Sequence, residues 1–134
     1  MAKSIESIEL KLRELISSRN VFINPKITEA IELRLKSASK NDPKLKDPSN
    51  VNMMQKLSFS DLRDLENIII TKANWPEFSE VFPNKGLLIT RFDQLANLRN
   101  SIAHSRDISM PILFDGKAAI TWFDEFLMSE TVDA

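Results

Sequence analysis

Apolar residues recur at steps of three and four along much of this chain, and this spacing constrains its fold more than any other feature. Near the N-terminus the spacing predicts a helix over residues 4–18, with Ser4 as its N-cap. Further along it predicts a long helix over residues 85–105. The apolar positions are Ile5, Ile8, Leu12, Leu15 and Ile16 in the first helix, and Leu88, Phe92, Leu95 and Ile102 in the second.

Cap residues and prolines predict four more helices. The first covers residues 28–39, and the second follows Ser60 through about residue 71, with a short strand at 68–70 as its alternative. A short helix begins at Asn74, and the last covers residues 115–129. Since the chain has two glycines and no Asn-Gly dipeptide, we predict an all-α fold, a compact antiparallel bundle of about five to six helices.

The length of the chain and one break within it bound the domain organisation. A chain of 134 residues can form one compact domain but not two with separate cores. The break, KNDPKLKDPSN at residues 40–50, has two prolines and almost no apolar residue. We interpret it as a surface loop, because the pieces on either side are too small to bury a core alone. One helical domain over residues 1–134 is therefore expected, and its excision from a longer protein stays open.

Several classes of function are excluded by residues that the chain lacks. The absence of cysteine excludes disulfide frameworks, thiolate zinc sites and cysteine nucleophiles. A single histidine, His104, excludes a His-rich metal cluster within one chain, and we expect neither a metal nor a cofactor. Gly86 and Gly116 are too far apart to form a P-loop or a dinucleotide-binding motif.

The charge balance and the hydropathy pattern limit the partners. Lys and Arg total 18 against 19 acids, so no overall positive field exists and any contact with nucleic acid must be local. The N-terminus lacks the apolar core of an export signal, and no stretch approaches the roughly 18 apolar residues of a membrane-spanning helix. We expect a cytoplasmic location without membrane contact.

Arg99 interrupts the apolar face of the helix over residues 85–105. Helical spacing places it where a leucine would continue the packing, so a permanently charged group faces another helix and needs a partner. The structural interpretation is an ion pair with an acid of a neighbouring helix, or extension of the side chain to the rim.

His104 belongs to a polar strip beside that apolar face. It lies about 140° around the helix from Arg99 but one turn from Asn100. The structural interpretation is a histidine that interacts with the last carbonyls of its helix. The members of the strip are Asn97, Asn100, Ser101 and His104.

The segment FDQLANLRNSIAHSRD, residues 92–107, resembles the signature of the HEPN superfamily. In that signature an Arg, a polar residue, three variable positions and a His form the motif R-x4-6-H. The matching residues here are Arg99, Asn100 and His104, and an aromatic-rich helix follows, so the resemblance covers residues 78–126. It implies a helical bundle that is commonly dimeric and, in many members, a metal-independent endoribonuclease.

The resemblance also implies roles for individual residues. Arg99 would stabilise charge on the phosphate, His104 would transfer protons, and Asn100 would orient the substrate or His104. If the chain is an RNase, Arg106 is a further candidate for binding substrate through a phosphate, and the structural interpretation is an exposed cation at the helix end. The ribose 2′-OH would attack the adjacent phosphate and leave a 2′,3′-cyclic phosphate and a 5′-OH. Because one chain holds one imidazole and the reaction needs two proton-transfer groups, a homodimer would supply the second His104.

Three functions stay open at this point. The first is an RNase, such as a toxin or defence effector, with RNA as substrate and an antitoxin or regulatory protein as a partner. The second is a non-catalytic HEPN module that dimerises or binds a nucleotide or a partner protein. The third is a helical adaptor in which the motif is coincidence. In all three, we expect the tryptophans, phenylalanines and methionines to pack in the core.

Overall fold

The computed structural model describes residues 1–46, 51–104 and 107–132, and it confirms the predicted all-α fold. The described residues form a helical bundle without a strand. The helices are α1 (Ala2–Ser17), α2 (Pro25–Ser39), α3 (Met53–Leu57), α4 (Leu62–Ile70), α5 (Trp75–Phe78), α6 (Lys85–Ala103) and α7 (Met110–Val132), with a short 3₁₀ helix at Pro43–Lys46.

The described residues hold seven α-helices, one more than the six predicted segments, and the additional helix is α3. Its five residues are too few to show an apolar period. Hydrogen bonds in its first turn stabilise it instead. Asn52 accepts a hydrogen bond from the backbone N–H of Gln55, and the Gln55 side chain accepts one from the backbone N–H of Asn52. This reciprocal capping box satisfies two of the N–H groups that a helix start leaves free.

Two predicted N-caps are wrong. Helix α1 begins at Ala2, so Ser4 lies within it. At α4 the cap is Asp61, whose side chain accepts a hydrogen bond from the backbone N–H of Asp64. Ser60 instead donates its hydroxyl to the carbonyl of Leu57. Because Ser and Asp cap helices equally well, adjacent candidates cannot be separated by residue type alone.

An aromatic cluster between α6, α7 and the segment before α6 forms part of the core. Phe82, Phe92 and Phe123 are fully buried and Trp122 nearly so. The ring centroids of Phe92 and Phe123 are 4.9 Å apart, and Phe82 stacks on Trp122 at 5.7 Å. These aromatic rings therefore pack in the core as predicted. The prediction was wrong for two phenylalanines and four methionines, which are exposed: Phe22, Phe114, Met1, Met53, Met110 and Met128.

Helices α6 and α7 approach each other closely at Gly116. A Cβ atom at Gly116 would lie 2.5 Å from Cδ2 of Leu98, so the side chain of Leu98 on α6 occupies the space that a side chain at Gly116 would need. The contact places the first turns of α7 beside the C-terminal half of α6. In those turns the side chains of Met110 and Phe114 are exposed, Phe114 by 65%.

Candidate functional site

Arg99 lies in the last two turns of α6 and forms an ion pair with Glu9 of α1. Nε of Arg99 lies 2.8 Å from Oε1 of Glu9. The contact is ionic, because Oε1 accepts no hydrogen bond from the described residues. The side chain of Arg99 is 48% exposed and that of Glu9 is 6% exposed. The predicted contact of Arg99 with a neighbouring helix is thus present, and half of its side chain still faces solvent.

A second arginine anchors Glu9 from its own helix. The terminal Nη2 of Arg13 lies 3.4 Å from Oε2 of Glu9, one turn away along α1. Arg13 also donates hydrogen bonds to the carbonyls of Leu57 and Ser60, at 3.0 and 2.9 Å. Glu9 therefore bridges a well-anchored arginine and the half-exposed Arg99.

Arg99 lines two cavities. The first, called the α1 cavity, has a volume of about 220 Å³ between α1 and α6. The second, called the α4 cavity, has a volume of about 120 Å³ between the start of α4 and α6. Ala2, Ile5, Glu6, Arg99, Ile102 and Ala103 line the α1 cavity, and Asp61, Leu62, Arg63, Ala96, Arg99 and Asn100 line the α4 cavity.

The α4 cavity is the polar one of the two, since it contains Arg63 as well as Arg99 and Asn100. Arg63 contacts Glu66 at 2.8 Å and Asp93 at 2.5 Å. The hydrogen bonds to Glu66 and then to Asp93 raise the pKa of Arg63 above its ordinary value. Arg63 is therefore charged at every accessible pH, but its charge is already balanced by two acids.

The predicted site residues are only partly brought together. Arg99 and Asn100 line the same α4 cavity. His104 is the C-cap of α6, where its backbone N–H bonds to the carbonyl of Asn100, and its side chain is exposed. The imidazole has no side-chain partner among the described residues and lines neither cavity. Arg106 lies outside the described residues.

Sequence reasoning missed Glu9 and Arg63 as neighbours of Arg99. The signal for Glu9 was present, because it falls one turn from Ile5 on the apolar face of α1 and one turn from Arg13. An acid on an apolar face calls for a partner in the same way as Arg99 does. Arg63 carried no such signal, since its position depends on how α4 packs against α6.

Neither a metal site nor a membrane span is found in the described part of the chain. No group of three or more acidic or histidine side chains is close enough there to hold a metal ion. No described helix is long and apolar enough to cross a bilayer. Comparison of the chain with family models, curated proteins and solved structures finds no match.

Proposed function

We propose that this chain is a metal-independent endoribonuclease of the HEPN type that acts as a homodimer. One observation carries the proposal. Arg99, whose terminal amino groups donate no hydrogen bond to the described residues, shares an open cavity with Asn100, and the exposed His104 follows Asn100 by one turn. These are the groups that phosphodiester cleavage by an internal nucleophile requires.

The reaction assigns a separate task to each residue. The imidazole of His104 takes the proton of the ribose 2′-OH as its oxygen attacks phosphorus. The bond from phosphorus to the 5′-oxygen breaks, and His104 of the second copy protonates that oxygen. Arg99 donates hydrogen bonds to the non-bridging oxygens as negative charge develops on them, while Asn100 orients the phosphate. The products are a 2′,3′-cyclic phosphate and a 5′-OH.

The surface beside His104 supports the homodimer. Helix α7 begins six residues after His104, and its first turns expose Met110 and Phe114. Large apolar side chains that lie together on a surface are typical of interfaces. Pairing of two copies through this surface would bring the two imidazoles toward one another.

A second candidate function, a non-catalytic module that binds a nucleotide or a partner protein, is favoured by the charges around Arg99. Glu9 already partners Arg99, and Glu66 and Asp93 balance Arg63. RNA-binding clefts ordinarily carry surplus cations. A cleft with so little surplus charge suits a single phosphate or a protein surface.

An RNA cleavage assay in EDTA separates the two functions. We expect wild type to cut RNA, His104→Ala to be slower by roughly 10²- to 10⁴-fold and Arg99→Ala by roughly 10²- to 10³-fold. Asn97→Ala, an exposed position on the same helix that lines neither cavity, is the matched control and should cut at the wild-type rate. Equal rates for wild type and His104→Ala would contradict the proposed reaction.

A further inference from the structure

Glu9 is a buried acid whose position the packing of α1 does not explain. It lies on the apolar face of α1, among Ile5, Ile8 and Leu12, and its side chain is 6% exposed. Burial of a carboxylate costs free energy that only close partners offset. An apolar residue would pack here without that cost, so the acid calls for a role beyond packing.

The two carboxylate oxygens of Glu9 have different partners. Oε2 faces Arg13, which two backbone carbonyls hold in place from α3 and the segment after it. Oε1 reaches across to Nε of Arg99 on α6. Glu9 is thus fixed on one side and restrains the guanidinium of Arg99 on the other.

Arg99 contacts Glu9 through Nε, and this leaves its two terminal amino groups available to a phosphate. A guanidinium can bind a phosphate through its two terminal amino groups while Nε contacts another acid. The structure fits this arrangement, because Nε makes the 2.8 Å contact with Glu9 and the terminal groups donate no hydrogen bond to the described residues.

The formal charges of Arg13, Glu9 and Arg99 sum to one positive charge. Arg13 is 16% exposed and Arg99 is 48% exposed, so the surplus charge faces solvent at Arg99. A guanidinium that is oriented in advance loses little freedom when it binds an anion. The alternative is that Glu9 neutralises Arg99. Because Glu9 also pairs with Arg13, its single negative charge is divided between two arginines and cannot neutralise both.

We infer that Glu9 is a positioning residue, which holds Arg99 by Nε so that its terminal amino groups face the phosphodiester. The inference rests on the proposed function for its substrate, but the restraint of Arg99 by Glu9 can be measured without any cleavage. Glu9 itself does not contact the reacting atoms in this assignment.

The kinetic test compares Glu9→Gln with Glu6→Gln. Glu6 is exposed on the same helix and lines the α1 cavity beside Arg99, so the same substitution there is a matched control. We expect Glu9→Gln to lower kcat/KM by roughly 10- to 100-fold, as loss of a group that orients a functional side chain does. Glu6→Gln should leave kcat/KM unchanged.

A double variant separates positioning from a loss of fold. If Glu9 acts through Arg99, Glu9→Gln should have no further effect on kcat/KM in the Arg99→Ala background. Multiplied effects of the two substitutions would overturn the inference. Glu9→Asp, which keeps the charge but shortens the side chain, is the second variant if Glu9→Gln does not fold. Its kcat/KM should also be lower than that of wild type.

Two measurements apply even if no RNA is cut. In nitrogen-15 relaxation NMR the Nε–H group of Arg99, identified by its loss in Arg99→Ala, should have a higher order parameter in wild type than in Glu9→Gln, because the ion pair restrains the side chain. A 2′-O-methyl RNA oligonucleotide, which lacks the nucleophile, should bind Glu9→Gln more weakly, with a dissociation constant raised several-fold. An unchanged order parameter, or unchanged or tighter binding by Glu9→Gln, would overturn the inference and leave the proposed reaction to its own assay.

Discussion

At the scale of single residues, the sequence predicted that the charged Arg99 lies on an apolar helix face. It did not predict which residue Arg99 contacts. The partner, Glu9, lies 90 positions earlier in the chain, and only the packing of α1 against α6 brings the two together. The exposed positions of Asn100 and His104 were predictable from the helical period alone. The spacing of residues in one chain does not predict an interface between two copies. It therefore cannot predict whether His104 of a second copy approaches Asn100 and His104 of the first.

Asn74 is a structural residue whose contacts were also not predicted from the sequence. It was predicted as the cap of α5, and it does occupy that position, but its side chain makes no cap hydrogen bond. Instead it pairs with both backbone groups of Phe22, at 2.7 and 2.6 Å, and donates to the carbonyl of Ile68 at 2.8 Å. Asn74 is 1% exposed, so these bonds join the segment between α1 and α2 to the end of α4.

We therefore expect Asn74→Ala to lower the free energy of unfolding by about 2 kcal/mol, because it leaves buried backbone groups without partners. Urea denaturation measures this change. Asn97→Ala, at an exposed position, is the control and should change the free energy by less than about 0.5 kcal/mol. A loss at Asn74 no greater than that at Asn97 would contradict the bridging role.

At the scale of elements, helix type was predictable and helix ends were less so. The final helix begins at Met110, five residues before its predicted start, because Ser109 precedes it and Pro111 falls in the first turn. A proline there costs nothing, since the first N–H groups of a helix have no partner within it. The β-branched run at residues 68–70 is helical, because Ile68 and Ile69 extend the buried face of α4.

Gly116 sets how closely α6 and α7 pack. We expect Gly116→Ala to lower the free energy of unfolding by about 1–3 kcal/mol, because the new Cβ would overlap the side chain of Leu98, which is fully buried. Thermal and urea unfolding measure the loss. In a Leu98→Ala background the same substitution should cost less, since the overlapping Cδ2 and Cγ atoms are gone and Cβ alone remains. An equal cost in both backgrounds would show that the contact with Leu98 is not its cause.

At the scale of the whole molecule, the all-α bundle followed from apolar spacing and scarce glycine, whereas the predicted homodimer rested on the resemblance to the HEPN superfamily. The exposed Phe114 near the motif carries the prediction of a homodimer. Met110 is exposed one turn away on α7, so the two side chains form an apolar patch of the kind that a second surface covers.

Phe114→Lys should therefore convert a dimer into a monomer and lower cleavage with it. Light scattering should give twice the 15.3 kDa chain mass for wild type and the single mass for the variant. Leu33→Lys, at an equally exposed leucine of α2, is the matched control and should remain a dimer. A wild-type monomer that cuts RNA would refute the shared site.

The chemical ends of the RNA that wild type leaves in EDTA test the central claim most directly. Attack by the 2′-OH, with protons moved by His104 and charge stabilised by Arg99, predicts 2′,3′-cyclic phosphate and 5′-OH ends on every fragment. Mass spectrometry of the fragments identifies these ends. Uncut RNA, or fragments with 3′-OH and 5′-phosphate ends, would contradict the account.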